Sequence, residues 1–214
     1  LKMNASTSNE LAGLDFLILA GGLGTRLGLS VPKGLIPVGP NGQPILSVQL
    51  HRLKKFGAKR VILAFSHRAD EINDALDSEQ FVPDGLEIEV SVEPKPNGTA
   101  EALRCADRLI HSPVFVMNCD TLVDIDPADY VRAHNGSVVA ASVLYTQRDD
   151  ISTGMCIFSS TVLDRIRIMP GSSLDKDILP NIVWSKVTMD CSFLDIGTPE
   201  QLALAPKFLK EMQT

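Results

Sequence analysis

A chain of 214 residues with 44% apolar and 21% charged side chains can bury a core without disulfide or metal staples, which excludes global disorder. Twenty Lys and Arg stand against 26 Asp and Glu, a formal net charge of −6 at neutral pH. A bulk electrostatic hold on nucleic acid or on an anionic membrane is therefore not expected, and any bound phosphate must be met locally by a loop or a metal.

No stretch approaches the ~18 consecutive apolar residues of a transmembrane helix, and the polar start lacks the pattern of a secretory signal. Cys105, Cys119, Cys156 and Cys191 are far apart, as are the four histidines, so neither a disulfide framework nor a zinc site is indicated. A soluble, cytoplasmic protein with reduced thiols is the expectation. The sequence begins at Leu1 rather than Met, which is expected of a fragment.

In chain order, residues 1–13 are expected to form a flexible lead. The apolar run of residues 15–20 suits a strand buried on both faces. Residues 45–56 are predicted helical, with Leu46, Leu50 and Leu53 on one side and Gly57 as a stop. A second buried strand is predicted at 59–66, a short helix at 69–78, an alternating strand at 86–92 and a helix at 99–110. There follow a strand at 114–118, a helix at 126–135, a strand at 137–146 and a strand at 155–158. Helices at 161–168 and 175–185 and one after Pro199 complete the chain. This alternation predicts a single-domain, Rossmann-like three-layer α/β/α fold on a mostly parallel mixed sheet. Residues 14–125 and 126–214 would form its two halves.

The first strand runs directly into Gly21-Gly22-Leu23-Gly24-Thr25-Arg26-Leu27-Gly28. Phosphate ligands bind at such strand ends, where glycines let backbone N–H groups approach phosphate oxygens. The spacing G-x-G-x-x-x-G departs from the dinucleotide fingerprint, and Lys33-Gly34 lacks the hydroxyl residue of a P-loop. Arg26 and Lys33 instead suggest a cradle for a nucleoside triphosphate, since Arg grips phosphate bidentately and Lys adds a point charge.

The segment LAGGLGTRLGLSVPKGLIPVGPNGQPIL resembles the signature of the sugar 1-phosphate nucleotidyltransferases, G-G-x-G-T-R-[LM] followed by P-K-x-[LM]-x-P and G-x-P. That resemblance implies transfer of a nucleoside monophosphate from an NTP to a sugar 1-phosphate, with Mg2+ as cofactor. Leu19, Ala20, Gly21, Gly22, Gly24 and Thr25 would then hold the nucleotide, and Arg26 and Lys33 its phosphates. Asp120, after the strand VFVMN, is similar to the Asp of the family's N-G-D, with Cys119 in place of glycine. Asp195 in FLDIGTPE resembles the second acidic position. Together they would bind the metal, with Asp120 also catalytic. The run EPKPNGTAEA resembles E-x-x-P-L-G-T-A-x-A, which makes Gly98 and Thr99 nucleotide-binding candidates, although Thr99 also suits a helix N-cap. Asn118, Thr153 and Gly154 are the candidate sugar-binding residues.

Residues 172–177, SSLDKD, resemble a run in heptose and mannose 1-phosphate guanylyltransferases, so the expected substrates are GTP and D-glycero-D-manno-heptose 1-phosphate or a mannose-like sugar 1-phosphate. The short spacer from Arg26 to Lys33 resembles instead the UDP-N-acetylhexosamine branch, which keeps a uridylyltransferase open. Neither nucleic acid nor membrane is an expected partner, and a homodimer is compatible with the resemblance. One departure stands out. The family carries an excursion ending in E-K-P, whose lysine binds the sugar phosphate, where this sequence has only residues 147–152. Either another cation such as Arg148 substitutes, or a lid-like stretch of roughly 20–30 residues is missing there. A non-catalytic binding module of the same fold is the rival from another class, and a nicotinamide oxidoreductase is disfavoured by the loop spacing.

Overall fold

The computed structural model describes residues 11, 13–22, 27–28, 31–66, 68–111 and 113–212. Five-residue β1 (Asp15–Leu19) is apolar from its second position and runs inside a seven-stranded sheet, third from one edge. Its neighbours are β2 (Arg60–Phe65) and β4 (Val114–Asn118), both parallel to it, and β3 (Glu87–Val92) continues the parallel run beyond β2. Strands without alternation need cover on both faces, and helices supply it.

One face carries α1 (Ile45–Lys55), α2 (Ala69–Leu76), α4 (Pro127–Asn135) and α6 (Pro199–Glu211), whose buried side chains join Phe16, Ile18 and Phe115 in one core. The other face carries α3 (Thr99–Ala106) and α5 (Ser160–Ile168), which pack on Leu17, Ile62 and Val116. Phe16 stacks on Phe115 at 5.2 Å and Phe115 meets Tyr130 edge-on at 5.4 Å, contacts worth about 0.5–1.5 kcal/mol each beyond burial. Of the expected N-terminal lead, Leu11 is instead fully buried in this core.

The second half of the sheet attaches in the opposite sense. Strand β7 (Ser152–Phe158) pairs antiparallel with β4 and with β6 (Ala141–Thr146), and β8 (Ser185–Met189) lies parallel to β6 at the edge. The order is thus β3-β2-β1-β4-β7-β6-β8, and a separate ribbon pairs β5 (Thr121–Val123) with β9 (Phe193–Asp195). The sheet is mostly parallel and mixed, as the sequence pattern predicts.

Three expectations are corrected. Residues 175–185 are not one helix: a π-helical turn at Leu174–Ile178 and a 3-10 turn at Leu179–Asn181 precede β8. Pro180 has no N–H to continue a helix, and the Asp177 carboxylate draws the Ser172 and Ser173 N–H groups (2.7 and 2.8 Å) to itself. The strand predicted from residue 137 begins only at Ala141, and β7 begins three residues earlier than predicted. Strands β5 and β9 were too short for a periodicity signal. Between β6 and β7, residues 147–151 form a closed turn: the Thr146 and Asp150 N–H groups donate to Ile151 and Thr146 carbonyls, with Asp150 left-handed at φ 54°. Among the described residues, no helix is long and apolar enough to cross a membrane.

Candidate active site

Strands β1 to β4 end at one edge of the sheet, and the glycine loop leaves from β1 there. Beyond β1 the ladder continues briefly: the Ala20 N–H donates to the Ala64 carbonyl (2.7 Å), and the Leu19 carbonyl accepts from Cys119 (3.0 Å). At Gly21 a Cβ would lie 3.2 Å from Glu93 Oε1 and 3.3 Å from Ser66 Oγ, so two polar side chains press directly on the loop backbone. At Gly22 a Cβ would stand 3.3 Å from the Lys33 stem. Gly24, Thr25 and Arg26 lie outside the described residues.

Lys33 opens a 3-10 turn, Lys33–Leu35, after Pro32, and its ammonium forms an ion pair with the Asp120 carboxylate 87 positions on. Asp120 occupies the tight turn between β4 and β5. That turn is fastened from α1 by Gln49, whose Nε2 donates to the carbonyls of Asn118 (3.3 Å), Cys119 (2.7 Å) and Thr121 (3.2 Å). Cys119, standing where the family has glycine, is fully buried, and burial raises its thiol well above the ordinary range. It packs inertly near Gly34.

Asp195 reaches the same place through the β5–β9 ribbon. It faces Thr121 in register, and the next N–H, of Ile196, donates to the Asp120 carbonyl at 2.8 Å. Two carboxylates 75 positions apart in sequence thus become neighbours lining one cavity of about 530 Å³. Asn118, Thr153 and Gly154 line it too, so the expected sugar-binding trio is brought together. Gly154 has φ 75°, and a Cβ there would meet Asn118 Nδ2 at 2.5 Å, so only glycine permits that approach. The Thr153 hydroxyl is turned into the sheet, donating to the Leu144 carbonyl (3.1 Å). Two aromatics, Tyr145 and Trp184, stack nearly parallel (6.3 Å, 5°) along another wall.

Thr99 is not the helix N-cap that the sequence suggested. Thr99 begins α3 and does not cap it; Gly98 is the cap, with φ 89°. The Thr99 hydroxyl accepts from the Leu174 N–H (2.9 Å), and the Ala100 N–H donates to the Ser172 carbonyl (2.8 Å). A Cβ on Gly98 would fall 2.4 Å from that carbonyl. This turn is stapled to residues 172–174. Arg148 is exposed on the β6–β7 turn and is not among the residues lining the cavity.

Two buried polar groups, Gln49 and Glu93, had no role assigned from the sequence. Gln49 was detectable as an amide on the buried stripe of Leu46, Leu50 and Leu53. Glu93, only 3% exposed, follows β3 and sits under Gly21; its Oε2 has no hydrogen-bond partner among the described residues. Burial, the larger effect, and the nearby Glu101 raise its pKa, against a lowering hydrogen bond from the Asn97 backbone. A metal fits the donor set: Asp120 and Asp195 offer hard oxygens, and Mg2+ typically takes one or two carboxylates and completes its shell with water and substrate phosphates. No larger cluster of metal-ligating side chains occurs among the described residues.

A glycine loop at parallel strand ends, beside a carboxylate-lined cavity, is the arrangement in which open-sheet α/β proteins bind their ligands. Residues 16–154 match the Nucleotidyl transferase family, and the chain belongs to it. It is 33% identical over 224 aligned positions to mannose-1-phosphate guanyltransferase beta-A of Xenopus laevis, covering 86% of this chain and 61% of that protein. It is 32% identical over 227 positions to the mannose-1-phosphate guanylyltransferase catalytic subunit beta of Drosophila melanogaster, covering 88% and 60%. The chain therefore spans about three fifths of the length of these relatives. Among solved structures, HddC from Yersinia pseudotuberculosis complexed with GMP-PN superposes with TM-score 0.77 at 25% identity, over 91% of this chain and 99% of HddC. A putative glucose-1-phosphate thymidylyltransferase from Bacillus anthracis shares the fold, with TM-score 0.75 at 21% identity, over 92% and 96% of the two chains.

Proposed function

We propose that this protein is a sugar 1-phosphate guanylyltransferase, converting GTP and a manno-configured sugar 1-phosphate into a GDP-sugar and pyrophosphate. The observation that carries the proposal is the convergence of Lys33, Asp120 and Asp195 between the glycine loop and the cavity. The mannose-1-phosphate guanylyltransferases of Xenopus and Drosophila among its relatives and the GMP-PN bound by HddC support guanine and a mannose-like acceptor. Glu93 gives the base preference a physical cause. Guanine presents two adjacent donors, N1–H and N2–H, and a buried carboxylate with an unpartnered oxygen is a matching acceptor.

In this mechanism a phosphate oxygen of the sugar 1-phosphate attacks the α-phosphorus of GTP, the α–β bridging bond breaks, and pyrophosphate departs. Both reactants are anions, so holding them together requires charge neutralisation more than proton transfer. The backbone of Gly21 and Gly22 gives the phosphates close approach, and Lys33, lying against Gly22, moves its charge from Asp120 to the phosphates. Asp120 and Asp195 would hold Mg2+, which supplies positive charge between the two substrates when bound. Asn118 and Gly154 shape the floor on which the sugar rests, and the faces of Tyr145 and Trp184 suit the C–H face of a pyranose.

A pyrophosphate-release assay with Mg2+, the four NTPs and mannose, heptose and N-acetylhexosamine 1-phosphates tests the proposal. Release is expected with GTP and mannose or D-glycero-D-manno-heptose 1-phosphate. Release with UTP alone would reassign the base, and no release with any pair would leave a binding module.

A further inference from the structure

The cavity has an electrostatic imbalance. Among the described residues its lining includes three carboxylates, Asp120, Asp175 and Asp195, and no Lys, Arg or His. Mg2+ on Asp120 and Asp195 would offset those two charges and leave Asp175, so a sugar 1-phosphate, with close to two negative charges at neutral pH, still calls for a cationic side chain nearby. Lys33 is at hand, but it is paired with Asp120 at the nucleotide side.

Another cation stands beside the aromatic pair. Lys186 on β8 shares a sheet face with Trp184, two residues before it, and its ammonium stands 4.5 Å from the centroid of the Tyr145 ring. Tyr145 and Trp184 both line the cavity, and Lys186, itself outside the lining, stands against one of these two rings. Its partner is Asp150, on the short turn between β6 and β7. Both members of that pair are well exposed, 40% and 66%, and an exposed ion pair is held only weakly. A phosphate dianion arriving over the Tyr145 ring offers more charge than the single carboxylate it would displace.

We propose that Lys186 binds the phosphate of the acceptor sugar, with the Tyr145–Trp184 platform beneath the sugar and Asp150 holding the ammonium in place until the phosphate arrives. The proposal rests on the cavity being the acceptor site. It goes beyond the nucleotidyl-transfer assignment by naming the residue that selects a phosphorylated sugar over a free one.

Calorimetric titration of mannose 1-phosphate into the wild-type protein and into Lys186→Met, Lys186→Arg and Asp150→Asn tests it, with GTP titrated in parallel. Methionine keeps an apolar stem over Tyr145 and removes the charge, so packing and charge are separated. Lys186→Met is expected to weaken mannose 1-phosphate about 10- to 100-fold and GTP less than twofold. Lys186→Arg should restore most of the loss, and Asp150→Asn should bind as tightly as wild type or more so. Mannose 1-phosphate binding to Lys186→Met within twofold of wild type, failure of arginine to rescue, or no binding to the wild-type protein would each overturn the proposal. Normal pyrophosphate release with an unaffected Lys186→Met would remove Lys186 and leave the guanylyltransferase reading standing. Lys186-dependent binding without turnover on any NTP would do the reverse.

Discussion

Glu93 carries two opposed consequences at the scale of the single residue. As a buried acid with a raised pKa it binds its proton more tightly folded than unfolded. Its contribution to stability is therefore present in acid, below the ordinary carboxylate range, and is lost as pH rises through the folded value. Glu93→Gln should raise the thermal midpoint at pH 8 relative to wild type, with the difference shrinking towards pH 4.5. The same change gives guanine one acceptor and one donor where it needs two acceptors, so the GTP-over-UTP ratio of kcat/KM should fall about tenfold or more. An unchanged ratio would remove Glu93 from base selection. Asp120→Asn and Asp195→Asn should each lower kcat by about 100-fold with little effect on folding, by analogy with loss of a charge-stabilising group. Steady-state kinetics with circular dichroism as a folding control would check both.

Helix α1 and the staple between α3 and residues 172–174 act at the scale of elements. Gln49 ties α1 to three carbonyls of the turn that presents Asp120, so Gln49→Leu fills the space and leaves those carbonyls unpaired. A loss of about 1–3 kcal/mol in denaturant unfolding is expected, with a fall in kcat larger than any change in KM for GTP. Gly98→Ala meets both a positive φ and a carbonyl 2.4 Å from the new Cβ. It should cost more than about 1 kcal/mol and loosen residues 172–174, which hydrogen exchange at the Leu174 amide would detect. The helix expected over 175–185 failed at this scale for a local reason, Pro180, and a non-local one, the pairing of β8 with β6. Only the first was written in the residues.

For the whole molecule, one sheet carries both proposed substrate regions, because β7 pairs antiparallel with β4 and so brings Gly154 beside Asn118. Ligands should therefore stabilise the fold as a unit. Saturating GTP with Mg2+ at about 100 times its Kd should raise stability by about 2.7 kcal/mol, seen as one shifted unfolding transition rather than two. Stability should also respond to His134 on α4, whose pKa burial lowers below the ordinary 6.5. The unfolded chain then takes up the proton more readily, so this contribution is complete above pH 6.5 and is lost as pH falls towards the folded value. His134→Gln should flatten the fall in thermal midpoint across that range.

What the residues alone determined is the class of fold, and they pointed to the glycine loop as the proposed phosphate end of the site. Buried strands written as unbroken apolar runs, and glycines with cations directly after the first, need no tertiary information to be recognised. The residues also singled out Asp120 and Asp195 as a pair, but not their meeting, which depends on a three-residue ribbon too short for any periodic signal. Gln49 under the turn, the unpartnered Glu93 oxygen beneath Gly21 and Lys186 over Tyr145 were decided by the tertiary structure alone. Each is a polar group whose role depends on what faces it across the core or the sheet, and sequence spacing along one element carries no record of that.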